Sequence, residues 1–136
     1  MDEATARALA EADELELVTI GRVSGRPHRV RLRFVHDDGV VWVRGGERPS
    51  APDASGVRRR TELDRASDWL RNLEHDPRAR VRIGDADLEA RYEPSADRAA
   101  DLRRAVELLR GKYGPEWVAD WYLDVGRIPV KLRLGA

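Results

Sequence analysis

A chain of 136 residues is the size of one ordinary domain, long enough to bury a core of its own. Basic and acidic residues balance at 25 each, so no overall field draws the protein toward nucleic acid or an anionic membrane, and any anion site has to be local. The absence of cysteine excludes disulfides, thiolate catalysis and cysteine-ligated zinc or iron–sulfur centres, and no apolar run approaches the roughly 18 residues of a membrane span.

The opening stretch "MDEATARALAEADELE" is acidic and Ala-rich, without the basic-then-apolar order of a secretion signal, so the expectation is a cytoplasmic protein. Residues 1–14 read as a helical arm, with the helix over 3–13. Residues 15–23 read as a strand with Val18 and Ile20 on one face, and 24–27 as a turn in which Gly25 supplies a positive φ and Pro27 excludes helix. The second strand spans 28–36. In it Arg29, Arg31 and Arg33 alternate with Val30, Leu32 and Phe34, so one face is apolar and the other carries three guanidinium groups. Like charges along one face repel, and either water with scattered carboxylates or the phosphates of a bound cofactor would offset them.

Residues 37–39 turn the chain into a third strand, "VVWVR", completing a hairpin. Residues 45–61, rich in Gly, Pro and Ser, read as a long mobile loop whose Arg58–Arg60 run is either solvated or an anion-gripping lid. Thr61 and Asp64 resemble a capping box, and Leu63, Ala66, Leu70 and Leu73 form the apolar stripe of the helix that follows, ended by "HDP" at 75–77. A second hairpin covers 78–94. A long helix after Ser95 carries Leu102, Val106, Leu109 and Tyr113 on one side, and Pro115 opens a shorter one. A last strand aligns Ile128, Val130, Leu132 and Leu134. Six mostly antiparallel strands with few helices predict one mainly β (α+β) domain over 1–136, a small barrel with flanking helices.

Familiar catalytic constellations are missing. His28, His36 and His75 lack metal-ligand spacing, so no metal site is expected. "GRVSG" is neither a dinucleotide fingerprint nor a Walker loop, and no serine sits in a G-x-S-x-G elbow. If the protein is an enzyme, a cofactor carries the reaction.

Three stretches then resemble one family in order. "LVTIGRVSGRPHRVRLRF" is similar to T-x-G-R-K-S/T-G-x-P-R-x-x-P-L, "DWLRNLEHDPRARV" to W-Y-x-N-L-x-x-N-P-x-V, and "WYLDVGRIPV" to W-x-x-x-x-x-R-x-I-P-V/I, all patterns of the deazaflavin (coenzyme F420)-dependent nitroreductase and quinone reductase family. The resemblance covers residues 15–134 and departs from the pattern at Val23 for Lys, Arg31 for Pro and Leu70 for Tyr. It implies a six-stranded split β-barrel of the FMN-binding type. It also implies an F420-dependent oxidoreductase that passes hydride to a quinone, enone or nitro compound, and a homodimer. The cofactor contacts it implies are Arg22, Val23 and Ser24 in the turn and His28, Arg29, Val30, Arg31, Leu32 and Arg33 in the second strand. Val43, Arg44, Gly45 and Gly46 would follow the third strand, and Asp68, Trp69, Leu70, Arg71 and Asn72 would stand on the helix. Tyr113 and Tyr122 would be the catalytic proton donors. FMN or heme as ligand, and a non-catalytic F420 carrier, stay open beside it. A nucleic-acid binder is disfavoured by the neutral net charge.

Overall fold

The structure is a computed structural model that describes residues 1–45, 60–115 and 128–135. Helix α1 (Glu3–Glu11) starts where the Asp2 carboxylate accepts the Thr5 N–H at 2.7 Å, satisfying one orphan donor of the first turn. Strands β1 (Glu14–Ile20), β2 (Pro27–Arg33), β3 (Val35–Asp37) and β4 (Val40–Gly45) follow, then α2 (Arg60–His75), β5 (Arg78–Ile83), β6 (Ala86–Glu93), α3 (Arg98–Tyr113) and β7 (Ile128–Leu134). Among the described residues no helix is long and apolar enough to cross a membrane.

Among the described residues seven strands form one antiparallel sheet in the order β2-β1-β5-β6-β7-β4-β3. One strand was expected over 28–36; the structure divides it at Phe34 into β2 and β3, which are the two edges of the sheet. The division has a geometric cause. A strand that leaves β1 on one side of the sheet and joins β4 on the other must bend, and the residue at the bend belongs to neither ladder. Side chains of α3 satisfy it instead: Tyr113 Oη accepts the Phe34 N–H at 3.1 Å, and Lys112 Nζ donates to the Phe34 carbonyl at 2.9 Å. This curled sheet with helices against it is a split-barrel-like fold.

Alternation sends Leu15, Leu17, Val81, Ile83, Val41, Val43, Val130 and Leu132 to the inner face, where Leu9 of α1 and Trp69, Leu70 and Leu73 of α2 complete the main core. Helix α3 covers part of the opposite face, packing Ala105 and Leu109 on Val35, Val40 and Trp42. Strand β4 is therefore buried on both sides, which explains its unbroken apolar run. The rest of the outer face is a lattice of charge: Glu14 stands opposite Arg33, Glu16 lies between Arg31 and Arg82, and Arg82 is opposite Asp87. Arg29, Arg31 and Arg33 point outward into this lattice, with Arg31 Nε 4.0 Å from Glu14 Oε1. Carboxylates of β1 thus stand directly opposite this row.

Candidate functional site

The β1–β2 turn is closed by two backbone bonds, the Gly21 N–H to the Arg26 carbonyl and the Gly25 N–H to the Gly21 carbonyl, both 2.8 Å. A Cβ at Gly21 would sit 2.6 Å from Ser24 Oγ and 3.1 Å from the Arg26 carbonyl, so a larger residue would push the serine hydroxyl away from its bond to the Arg26 N–H. Gly25 takes φ +70, as its place in the turn demanded. The Ser24 hydroxyl accepts the Arg26 N–H at 3.1 Å and fixes the tip.

Helix α2 grips this turn from the side. Asn72, 2 % exposed, accepts both the Arg22 N–H at 3.1 Å and Arg22 Nη1 at 2.9 Å through Oδ1, and its Nδ2 donates to Thr19 Oγ1 at 3.1 Å. Arg22 Nη1 also donates to the Asp68 carbonyl at 3.3 Å, and Nη2 to Asp68 Oδ1 at 3.1 Å. A half-buried guanidinium is thus oriented by two residues one helical turn apart. Three of its contacts are charge-assisted or buried, which makes its geometry rigid.

Around this network lies a cavity of about 250 Å³ lined by Gly21, Arg22, Val23, Ser24, Arg26, Pro27, His28, Asp68 and Asn72. His28 Nδ1 is buried there with no hydrogen-bond partner among the described residues. The charged side chains on the wall are Arg22 and Arg26 against Asp68, so the surplus is cationic. Among the described residues Arg22 commits Nη1 and one Nη2 proton, which leaves its Nε–H and the second Nη2 proton for an incoming oxygen.

The structure brings six of the sequence-predicted contacts into this cavity: Arg22, Val23, Ser24, His28, Asp68 and Asn72. It does not bring the others there. Arg29, Arg31 and Arg33 face the outer lattice, while Val30, Leu32, Val43 and Leu70 pack into the main core. Trp69 is 1 % exposed in that core, its Nε1 without an acceptor among the described residues, and Arg71 is on the exposed side of α2. Arg44 and Gly45 extend the β4–β7 ladder opposite Pro129 and Ile128. Gly46, Tyr122 and most of the 45–61 stretch lie outside the described residues.

Tyr113 sits at the far end of the β1–β2 hairpin, about 20 Å from the turn at 3.3 Å per residue. Its hydroxyl is within donating distance of the Asp13 carbonyl (2.7 Å) and the Phe34 carbonyl (2.9 Å), and burial pushes its pKa up.

Sequence reasoning missed Thr19 and Arg26. Thr19 heads the T-x-G-R element, a signal that was available; its hydroxyl is the acceptor that orients the Asn72 amide. Arg26 reads as an ordinary turn residue, and only its place on the cavity wall singles it out.

A family model described as F420H(2)-dependent quinone reductase matches residues 2–119. No curated protein matches the chain. Among solved structures, a conserved hypothetical protein from Mycobacterium tuberculosis is similar at 22 % identity and TM-score 0.66, covering 100 % of this chain and 82 % of that one. An F420-H2 dependent reductase, FDR-A, is similar at 19 % identity and TM-score 0.57, covering 92 % of this chain and 96 % of its own. A protein solved as a domain-swapped dimer is similar at 20 % identity and TM-score 0.58, covering 98 % and 95 %. At these identities the likeness is one of fold.

Proposed function

Because the chain belongs to the F420H(2)-dependent quinone reductase family, we propose that it is an F420-dependent reductase whose Arg22 turn holds the coenzyme's phosphate. The acceptor class we assign is a small electrophile, a quinone before an enone or a nitro compound. The observation that carries the reading is the convergence of Arg22, Ser24, His28 and Arg26 on one cationic cavity in a chain of this family.

The residues present suit a phosphate. Among the described residues Arg22 keeps two unfilled N–H groups on a guanidinium that Asp68 and Asn72 already orient, so little freedom is lost when an oxygen arrives. Arg26 adds a second cation, and His28 Nδ1 is a buried polar atom that gains a partner. A volume of about 250 Å³ accommodates a phosphate and the start of its chain. Bound reduced F420 supplies a hydride. The task left to this chain is to hold the anionic end still while donor and acceptor meet near van der Waals contact, which is positioning rather than acid–base chemistry. We add a homodimer to the reading, prompted by the domain-swapped dimer of this fold.

Equilibrium titration with F420, and separately with FMN and heme, followed by cofactor fluorescence or absorbance, tests the proposal. The expected result is F420 affinity at least about tenfold above that for FMN, reduced about tenfold by Arg22→Ala. Reduced F420 is then oxidised on addition of menadione. Tighter FMN or heme binding overturns the assignment, and tight F420 binding with no turnover of any acceptor makes the protein a carrier. Sedimentation velocity checks the dimer.

A further inference from the structure

Neighbouring guanidinium groups recur on the outer face among the described residues, and the surroundings of two sets differ. The row on β2 looks across at Glu14 and Glu16. The second set runs across the strands: Arg91 of β6 is the direct partner of Arg78 on β5 and of Arg133 on β7. Directly opposed residues lie about 5 Å apart, and like charges at that spacing destabilise a sheet. The outer two are compensated. Asp76 takes Arg78 Nε at 3.0 Å and Nη2 at 2.8 Å, and Glu93 takes Arg133. Arg91, between them, has no hydrogen-bonded or ion-paired carboxylate among the described residues.

Arg91 also stands on the wall of a cavity of about 490 Å³ on the half of the outer face that no described helix covers. Val18, Ile20 and Pro27 give it an apolar floor, and Arg78, Arg80 and Arg91 give it a basic side. The carboxylate on that side is Glu89, 3.8 Å from Arg80, which in turn holds Asp87 at 2.7 Å. Three guanidiniums therefore face Asp76, Asp87 and Glu89, so there is no surplus to welcome a dianion. What is missing is an acceptor for the fork of Arg91.

We propose that this groove binds a small amphipathic monoanion, with a flat apolar body on Val18, Ile20 and Pro27 and one carboxylate gripped by Arg91. Guanidinium and carboxylate meet through two parallel hydrogen bonds, and an apolar ring removes exposed surface of the floor from water. Glu89 excludes a second negative group from the same wall. The inference stands apart from the coenzyme reading: a chain that failed to bind F420 would still show it.

The test is titration of the ¹⁵N-labelled chain with 2-naphthoate and, in parallel, with neutral 2-naphthamide. Naphthoate is expected to shift the amides of residues 18–20, 78–80 and 89–91 and to bind about tenfold more tightly than the amide. Arg91→Gln lowers naphthoate affinity about tenfold, to the level of naphthamide, while Arg31→Gln in the carboxylate-offset row leaves it unchanged. Equal affinity for the two probes, an unaffected Arg91→Gln variant, shifts confined to other surfaces, or no binding at all each overturns the proposal. So does sedimentation showing that naphthoate acts only by dissociating a dimer.

Discussion

The two ends of the β1–β2 hairpin are both pinned by helices distant in sequence, and they are pinned by different chemistry. At the turn, the buried Asn72 amide of α2 holds Arg22 and Thr19 in one hydrogen-bond network. At the Phe34 corner, α3 supplies Tyr113 and Lys112, whose polar tips replace a missing sheet partner, and the Lys112 ammonium also lies over the Phe34 ring at 3.6 Å. Among the described residues the turn end leaves donors of Arg22 unfilled beside a cavity; in the corner the Phe34 N–H and carbonyl are both satisfied. On the proposed reading one end receives the coenzyme's phosphate, and the other closes the barrel.

Breaking the turn end costs most. Asn72→Ala leaves the Arg22 N–H and the Thr19 hydroxyl without their buried partner, and a loss of about 2–4 kcal/mol is expected in urea or guanidinium unfolding. The same variant is expected to weaken F420 binding, because Arg22 loses one of the two residues that aim it.

Tyr113→Phe addresses the corner. It removes only the hydroxyl, leaving the Phe34 N–H unpaired in a part-buried place, and about 1–3 kcal/mol of stability goes with it. The comparison is sharpened by assaying turnover of the same variant under conditions where it stays folded. Retained turnover assigns Tyr113 to closing the barrel, whereas lost turnover with unchanged F420 affinity restores it as a proton donor.

These two ends were unequally legible in the sequence. The turn was readable because its chemistry is local: Gly25 and Pro27 announce a turn at 24–27, although the strand expected to 23 ends at Ile20, and the resemblance added Asp68 and Asn72 on the helix. The corner was not, since nothing in "RFVHDD" says that Phe34 leaves one ladder for another; that follows only from barrel closure, and the partners come 78 and 79 residues later. The period-two pattern of β2 correctly gave an outward arginine face, but which offset it meets depended on β1 register, Glu14 to Arg33 and Glu16 to Arg31, which one strand cannot specify alone. Conversely, the stretch that holds Arg91 reads as an ordinary alternating hairpin, and its isolation appears only when three strands are laid side by side.

Lys112 gives the corner a pH signature. Burial holds its ammonium down to about 8 from the ordinary 10.5, against the opposing pull of Asp13. Below pH 8 the folded and unfolded chains both carry the proton, and the desolvation cost is fully present. Between about 8 and 10.5 the unfolded chain alone retains it, so stability rises with pH across that window. The group is partly solvated, so the rise is on the order of 1 kcal/mol after screening. Tyr113, pushed up by burial, works in the other direction only above its ordinary value of 10.0. Comparing wild type with Lys112→Met from pH 7.5 to 9.5 by chemical unfolding is expected to show a rising line and a flat one; parallel lines would mean that the amine is not desolvated in solution.

The smallest effect expected is the most informative about the arginines. Arg31→Gln removes a guanidinium that is 75 % exposed and no closer than 4.0 Å to its carboxylate, so stability should change by less than about 0.5 kcal/mol. If the β2 row were instead part of the phosphate grip, the same substitution would lower F420 affinity severalfold while leaving unfolding untouched. Measuring both quantities on one variant separates the two roles, because a surface charge lattice moves neither, whereas a ligand contact moves only the second. Paired with Arg22→Ala, which is expected to move F420 affinity about tenfold, it decides whether anion binding is confined to the turn or runs along the strand that follows it.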